Sequence, residues 1–495
     1  MNLKQKSIAV IGAGLSGLVS STLLAKDGKK VVLMEKNEHS GGRVRQFQSD
    51  GFIFDMGPSW YWMPDVIERY FKLFDHTSSD FFDLKRLDPG FRVYFSEDDK
   101  IDIPDSKNEL MALFESIEPG SSAHLEKFLS ESKLKYEVGV KDLVYKPSDS
   151  ITEFLSPKLA LDMLRLKALT PFNKYVRSYF KDERLIKLME FPILFLGGTA
   201  QSTPSLYSLM NYACFELGTW YPQGGFGKLA DAFTRLAHEN GVEMMFSSAV
   251  DNVRITDKRV NSIVTDGMEH KVDGLINSGD YHHFEKQLIS DNQRTYSEKY
   301  WETRTMSPSS LIFYLGVNKR IDGLLHHNLF FDKDFDIHAK EIYNIPQWPS
   351  DPLFYVCCPS KTDDSVAPDG MENLFILMPL AVGIEDSEDL RNKYYNIIMD
   401  RLKHILGIDI RPDVIFKKSF CLKDFKNDYN SYKGNAYGLA NTTLQTAFLK
   451  PKMKSKKIKN LFHCGQLTVP GPGVPPSIIS GEVAANQMIS YLNKN

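Results

Sequence analysis

Cysteine is scarce in this chain. The 495 residues hold five (Cys214, Cys357, Cys358, Cys421 and Cys464), with no CxxC pair and no disulfide framework. That excludes a cystine-stapled secreted module and predicts a reducing, cytoplasmic setting. Charge of one sign is also missing. Sixty basic residues stand against 63 acidic ones, a formal net charge of −3, so nucleic-acid binding has no bulk electrostatic support. No apolar run approaches the roughly 20 residues a bilayer span needs. The best, over 191–198, is far shorter. There is no HExxH, no nucleophile elbow, no obvious His/Asp dyad, no internal repeat and no low-complexity segment. No metal site is expected.

What is present is concentrated at the start. Ser7-Ile8-Ala9-Val10-Ile11 reads as a buried strand, and Gly12-Ala13-Gly14-Leu15-Ser16-Gly17 follows at once. Residues 18–26 have helical composition, and Lys30-Val31-Val32-Leu33-Met34 gives a second strand ending at Glu35. Gly12 permits a tight turn, Gly14 lets a pyrophosphate approach the backbone, and Gly17 lets the helix pack on the strand. The helix N-terminus presents free N–H groups and partial positive charge to a phosphate. Glu35, eighteen residues beyond Gly17, is placed to accept from ribose hydroxyls. With this motif already running at Val31, no cleavable signal peptide is expected. Gly41-Gly42-Arg43 and the stretch from Phe54 to Ser59 extend the pattern beyond what a nicotinamide site uses. A glycine pair lets backbone pass close to a cofactor, and an arginine answers pyrophosphate charge, which points to FAD.

Further along, a helix is expected over 65–74 and a hairpin over 92–103, followed by mainly helical periodicity over 108–195. Residues 158–179 interleave Leu159, Leu161, Met163, Leu164, Leu166 and Leu169 with Lys158, Arg165, Lys167, Lys174 and Arg177. This basic amphipathic stretch reads either as a membrane-surface helix or as a core-facing helix with a solvated basic face. From 229 the chain returns to the cofactor unit, with a helix over 229–240 capped by Gly241 and strands at 242–246, 250–255, 262–264 and 275–280. Strands at 311–317 and 374–379 and a helix over 389–406 follow. The closing strand-like stretch 460–465 leads through the Pro/Gly loop 470–476 into a helix over 477–492, with Ser477 near its N-terminus. Segments 1–75, 229–290 and 455–495 are thus expected to form the FAD-binding domain. Segments 76–228 and 291–454 are expected to form a substrate and membrane-facing domain.

Taken together, these residues resemble the FAD-dependent bacterial-type phytoene desaturases, carotenoid desaturases within the amine-oxidase-like flavoproteins. The resemblance covers the whole chain. It rests on Gly12/Gly14/Gly17, Glu35, Gly41-Gly42-Arg43, the Phe54 to Ser59 stretch, Leu196-Gly197-Gly198, Gly224-Gly225-Phe226-Gly227, Ser307-Pro308-Ser309-Ser310 and Pro470-Gly471-Pro472-Gly473-Val474-Pro475. Details at 55–64, 141–145 and 431–451 are similar to the flavobacterial type. The resemblance implies an α/β fold: a Rossmann-like FAD-binding domain of glutathione-reductase type with an interleaved α+β substrate domain. It implies FAD contacts at Gly12, Gly14, Gly17, Glu35, Arg43, Val250, Gly465 and Val474. Their neighbours Ala13, Ser16, Lys36, Gly42, Pro58, Ser59, Asp280 and Pro475 complete the candidate cofactor set. It also implies a peripheral association with the cytoplasmic membrane, since the substrate is a lipid-dissolved C40 hydrocarbon. The family's proposed Asp and the Arg three residues later fall here on Glu153 and Ser156. Ser cannot supply the cation, so Glu153 alone stands as the candidate acid–base residue.

Dehydrogenating an allylic CH–CH bond removes a hydride, which goes to flavin N5, and a proton; the electronic work belongs to the cofactor. The protein's task is to position an extended apolar chain. Trp60, Trp62 and Phe226 are candidates to line its tunnel, with Tyr61, Phe215 and Trp220 sharing the same ambiguity between tunnel and core. His282-His283 and His326-His327 read as turn or surface features. The expected activity is successive dehydrogenation of phytoene, to lycopene, with oxygen or a membrane quinone reoxidising the flavin. The alternatives are a desaturase, ketolase or isomerase of a later carotenoid, an amine-oxidase-like or protoporphyrinogen-oxidase-like enzyme, or a flavin-free prenyl-lipid escort protein.

Overall fold

A computed structural model describes residues 5–150, 153, 166–442 and 444–494. The opening run Ser7–Ile11 (β1) is the middle strand of a five-stranded parallel sheet. On one side it pairs with Lys30–Met34 (β2), which pairs in turn with Glu243–Met245. On the other it pairs with Gly274–Asn277, which pairs with Leu461–His463. β1 and β2 are buried on both faces, so their sequences are continuous rather than alternating apolar runs. The helix Leu15–Lys26 (α1) crosses between them. A three-stranded antiparallel sheet (Val250–Thr256, Arg259–Thr265, Met268–Lys271) sits beside it. Every strand of these two sheets falls within 1–75, 229–290 or 455–495.

The second large unit is a seven-stranded sheet in the order Val414–Phe420, Ser309–Val317, Glu372–Leu380, Phe354–Cys357, His327–Phe330, Phe91–Tyr94, Lys100–Ile103. All pairs are antiparallel except His327–Phe330 with Phe91–Tyr94. Period-two alternation divides its faces. Leu311, Phe313, Phe330, Ile376 and Met378 pack with Ile398 and Leu402 of the helix Glu388–Leu406 in one core. Ser310, Ile312, Leu329, Leu377 and Pro379 face the opposite way, onto a large cavity.

Two elements differ from the sequence reading. The closing helix runs Val474–Leu492 and begins three residues earlier than expected, because Pro475 and Pro476 occupy its first turn, where no N–H is required of them. Of the amphipathic stretch 158–179, residues 158–165 lie outside the described residues. Beyond them the chain makes turns over 166–169 and a short helix, Phe172–Val176, with Pro171 at its N-cap. Thr170 precedes that proline, a position driven away from helical backbone, so no continuous helix runs through it.

Candidate active site

The cavity opens at the carboxyl ends of β1 and β2, the place where α/β sheets bind ligands. Gly12 turns the chain with φ +92°, its N–H donating to Met34 O at 2.7 Å. A Cβ on Gly17 would stand 1.9 Å from Gly12 O, so that glycine is demanded by protein packing. Gly14 is different. It caps α1 with ordinary extended backbone (φ −71°), a Cβ there would meet no protein atom within 4 Å, and the residue faces the cavity. No side chain caps the helix, so its first-turn N–H groups point into the same space. Ser16 joins them, hydrogen-bonded to Ser278 (Oγ to Oγ, 2.8 Å).

Glu35 is buried, 6% exposed, and lines the cavity. Its Oε2 accepts from Ala13 N at 2.8 Å, and Oε1 accepts from Asn37 N and Nδ2 at 2.9 and 2.8 Å. The carboxylate therefore also ties the glycine turn to β2, a role the sequence did not disclose. Ala13 itself is buried and joins the site through its backbone, its carbonyl accepting from Gly41 N. Gly41 and Gly42 both have positive φ, and a Cβ on Gly42 would approach Gly14 Cα to 3.1 Å.

Arg43 lies 4.6 Å above the Tyr429 ring and donates from Nη2 to Ser431 Oγ at 2.7 Å. Its Nε is buried and has no hydrogen-bond partner among the described residues. Desolvation lowers its pKa, the attraction of Tyr429 and Asp280 opposing. Asp280 is pushed up by burial, and its carboxylate accepts from His283 N and Tyr432 N. Lys36 donates to Asn427 O and Asn430 Oδ1, and Arg45 pairs with Asp428. The C-terminal end of the helix Leu422–Tyr429, with Asn430 and Ser431 beyond it, thus clamps the basic residues of the first unit. Nothing in the sequence of 427–430 singled it out.

Pro58, Ser59, Val250, Gly465, Val474 and Pro475 all line the cavity, as do Ser248, Ala249 and Ser278, which sequence reasoning missed. Gly465 has φ +98°, and the N-terminus of the closing helix stands beside it. The far half is apolar. Trp60 and Trp62 reach it, with Trp62 Nε1 donating to Thr219 Oγ1 at 2.9 Å, and Leu329, Phe331, Phe335, Ile342, Leu353 and Leu377 form its walls. Two titratable groups lie there unforeseen. Burial pushes Glu190 up to about 7, and its Oε1 has no partner among the described residues. His338 is pushed down to about 4 by burial, with Nε2 3.0 Å from Pro379 O.

Three sequence expectations are corrected. Phe226 is not on the cavity lining; it is 1% exposed, caps the helix Gly227–Glu239 and packs against Tyr61. Glu153 also lies off the lining. Its carboxylate accepts from the N–H groups of Ser148, Asp149 and Ser150 at 3.0, 2.8 and 3.0 Å, which makes it a turn-former; Ser156 lies outside the described residues. His326 and His327 are buried, not superficial (4% and 0% exposed), and His283 faces the cavity while His282 bonds Glu298.

The donors fit a flavin dinucleotide. An uncapped helix N-terminus, a glycine whose Cβ position is open to the cavity, and a buried guanidinium nitrogen with no protein partner all await an anionic group. The turn Gly12 to Gly17, Glu35, Arg43 and the closing helix would hold FAD, which supplies the hydride acceptor.

Comparison with known proteins agrees. Residues 15–489 match the family of flavin-containing amine oxidoreductases. A carotenoid 3,4-desaturase of Haloarcula japonica is 37% identical, with 99% of each chain covered. A 4,4'-diapophytoene desaturase (4,4'-diaponeurosporene-forming) of Staphylococcus haemolyticus is 31% identical over 97% of this chain and 98% of its own. Among solved structures, an oxidoreductase from Methanosarcina mazei superposes with a TM-score of 0.62 over 96% of this chain and 98% of its own at 17% identity, a likeness of fold alone. With the glycine turn, the guanidinium and both helix ends converging on one cavity, the chain belongs to the flavin-containing amine oxidoreductases, among their carotenoid desaturases, and is an FAD-dependent oxidoreductase.

Proposed function

We propose that the protein dehydrogenates CH–CH bonds of a linear carotenoid at the 3,4 position near the end of an already extended polyene. The observation that carries this is the cavity itself, one continuous space whose polar half fits FAD and whose other half is walled by aliphatic and aromatic side chains from the seven-stranded sheet. Such a wall holds a hydrocarbon by burial, without directional bonds, and lets it slide so that a chosen carbon pair meets the flavin. The 3,4 position is favoured because the relative at 37% identity carries that name. The second reading is the conversion of phytoene to lycopene, an earlier stage of dehydrogenation, in line with the relative at 31% identity that is named for 4,4'-diapophytoene.

Two hosts separate these readings, one accumulating phytoene and the other lycopene. A longer-wavelength pigment in the lycopene host alone supports 3,4-desaturation, and red lycopene in the phytoene host supports the second reading. Neither change, with yellow FAD-loaded protein present, removes both.

Peripheral membrane contact belongs to the same proposal, as does reoxidation by a quinone or oxygen. No helix among the described residues is long and apolar enough to cross a membrane. Leu169, Leu194, Ile337, Ile345, Leu444 and Leu449 are nevertheless exposed, from 41% to 78%. Their segments are tied together by Tyr343 OH to Gly197 O, Gln201 Nε2 to Asp336 Oδ1, and Tyr207 with Thr446. Leu194, Gln201 and Asp336 also line the cavity, so part of this apolar surface adjoins it.

A further inference from the structure

Behind the cavity wall, strand register assembles a second cluster. Cys357 lies directly opposite His327 in the antiparallel pair His327–Phe330 with Phe354–Cys357, and His326 precedes His327. One ring nitrogen of each histidine and Cys357 Sγ lie within 4.8 Å of one another, and all three residues are buried. Both rings are held in place. His327 stacks on Trp60, centroids 4.0 Å apart and planes 10° off parallel, and its Nδ1 is 2.6 Å from Tyr355 OH. His326 meets Tyr221 edge-on at 4.6 Å, and its Nδ1 is 2.8 Å from Thr362 Oγ1. With both Nδ1 atoms engaged, the nitrogens left are the two Nε2, and each is buried without a partner among the described residues.

A buried polar atom left unpaired destabilises a fold, and here two lie on rings whose centroids are 4.4 Å apart. Neutral imidazole is the ligating form, and a metal-bound imidazole is oriented by a hydrogen bond at its other ring nitrogen, a part played here by the hydroxyls of Thr362 and Tyr355. The donor set contains no oxygen, which disfavours Mg2+ and Ca2+ and suits a softer ion.

We infer that His326, His327 and Cys357 form a buried site for one Zn2+ or Cu+ ion, bound by two imidazoles and a thiolate. On binding, the Cys357 S–H bond breaks, its proton leaves to solvent, and the sulfur's electron pair goes to the metal, with no change of oxidation state. Trp60 and Tyr355, which touch His327, both line the cofactor cavity, so the ion pins that wall and stands outside the chemistry. Sequence spacing could not reveal the site, because its two parts lie thirty residues apart and meet only through register.

The test is elemental analysis of the FAD-loaded full chain, expressed in zinc- and in copper-supplemented cultures and purified in metal-free buffer. About one equivalent of one metal per chain is expected, falling to about a tenth or less in Cys357→Ser and His327→Gln that still hold FAD. X-ray absorption of the wild-type protein, which needs no variant, should show one sulfur and two imidazole nitrogens around the ion. Wild-type protein with under about a tenth of an equivalent from both cultures, or a metal with no sulfur neighbour, overturns the assignment. So does a metal content unchanged in a folded Cys357→Ser chain.

Discussion

Gly14 and Gly17 belong to one motif but answer to different things. Only open space meets a Cβ at Gly14, whose backbone any residue adopts, whereas at Gly17 it meets Gly12 O at 1.9 Å. Gly14→Ala should leave the thermal unfolding of the flavin-free chain unchanged within a degree or so, while FAD binds at least about tenfold more weakly, about 1.4 kcal/mol. Gly17→Ala should instead unfold the chain, at a cost of about 3 kcal/mol or more. Comparing apo-protein melting with flavin fluorescence titrations checks both. Glu35→Gln replaces one of two occupied acceptor oxygens with a donor facing a backbone N–H. About 1–3 kcal/mol of stability should go with it, along with FAD affinity, while the chain stays folded. Normal affinity would remove Glu35 from the site. Glu190 gives the pH prediction. Burial raises its folded pKa to about 7 from 4.5, so the protonated acid contributes stability that is complete below about pH 4.5 and lost as pH rises through 7. Gln cannot ionise, so Glu190→Gln should melt higher than the wild type at pH 8, by about 1–2 kcal/mol, and lose that advantage below pH 5.

Among the elements, α1 and the closing helix carry the site between them, and their contact is set by one small residue. A Cβ on Gly481 would stand 2.4 Å from Ser16 O and 2.9 Å from Val19 Cβ. Gly481→Ala should therefore push apart the two helix ends that face the cofactor, costing about 1–3 kcal/mol and loosening FAD; melting temperature and flavin retention on a desalting column read both. This element scale is also where the sequence was most and least legible. β1, β2 and the stretch 311–317 announced themselves as mainly apolar runs, because their burial on two faces leaves no polar alternation. Met268–Lys271 went unseen, being a short, mostly exposed strand of Met-Glu-His-Lys. The glycine turn, Glu35 and Arg43 were readable because local backbone geometry selects those residues. The clamp at 427–431, the sheet face with Ser310 and Ile312, and Glu190 were not, since each acquires its meaning from a neighbour hundreds of residues away or from burial. Glu153 and Phe226 misled for the converse reason: an acid at a family position and an aromatic in a glycine motif each proved to serve its own local turn or core.

At the scale of the molecule, the exposed leucines and isoleucines Leu169, Leu194, Ile337, Ile345, Leu444 and Leu449 form the membrane face proposed above. Leu169→Glu and Leu444→Glu, at positions 69% and 78% exposed and thus free of packing duties, should each weaken liposome binding about tenfold without altering melting or FAD content. Unchanged sedimentation with lipid would remove this face from the membrane. The two large sheets are also interleaved along the chain. β1, β2 and α1 are made first, yet the strand Leu461–His463 and the helix Val474–Leu492 that complete their sheet and cover α1 are made last. Residues 7–43 therefore lack the second wall of their cofactor pocket until a stretch more than four hundred residues further along has folded against them. A chain cut before residue 461 should accordingly retain no FAD.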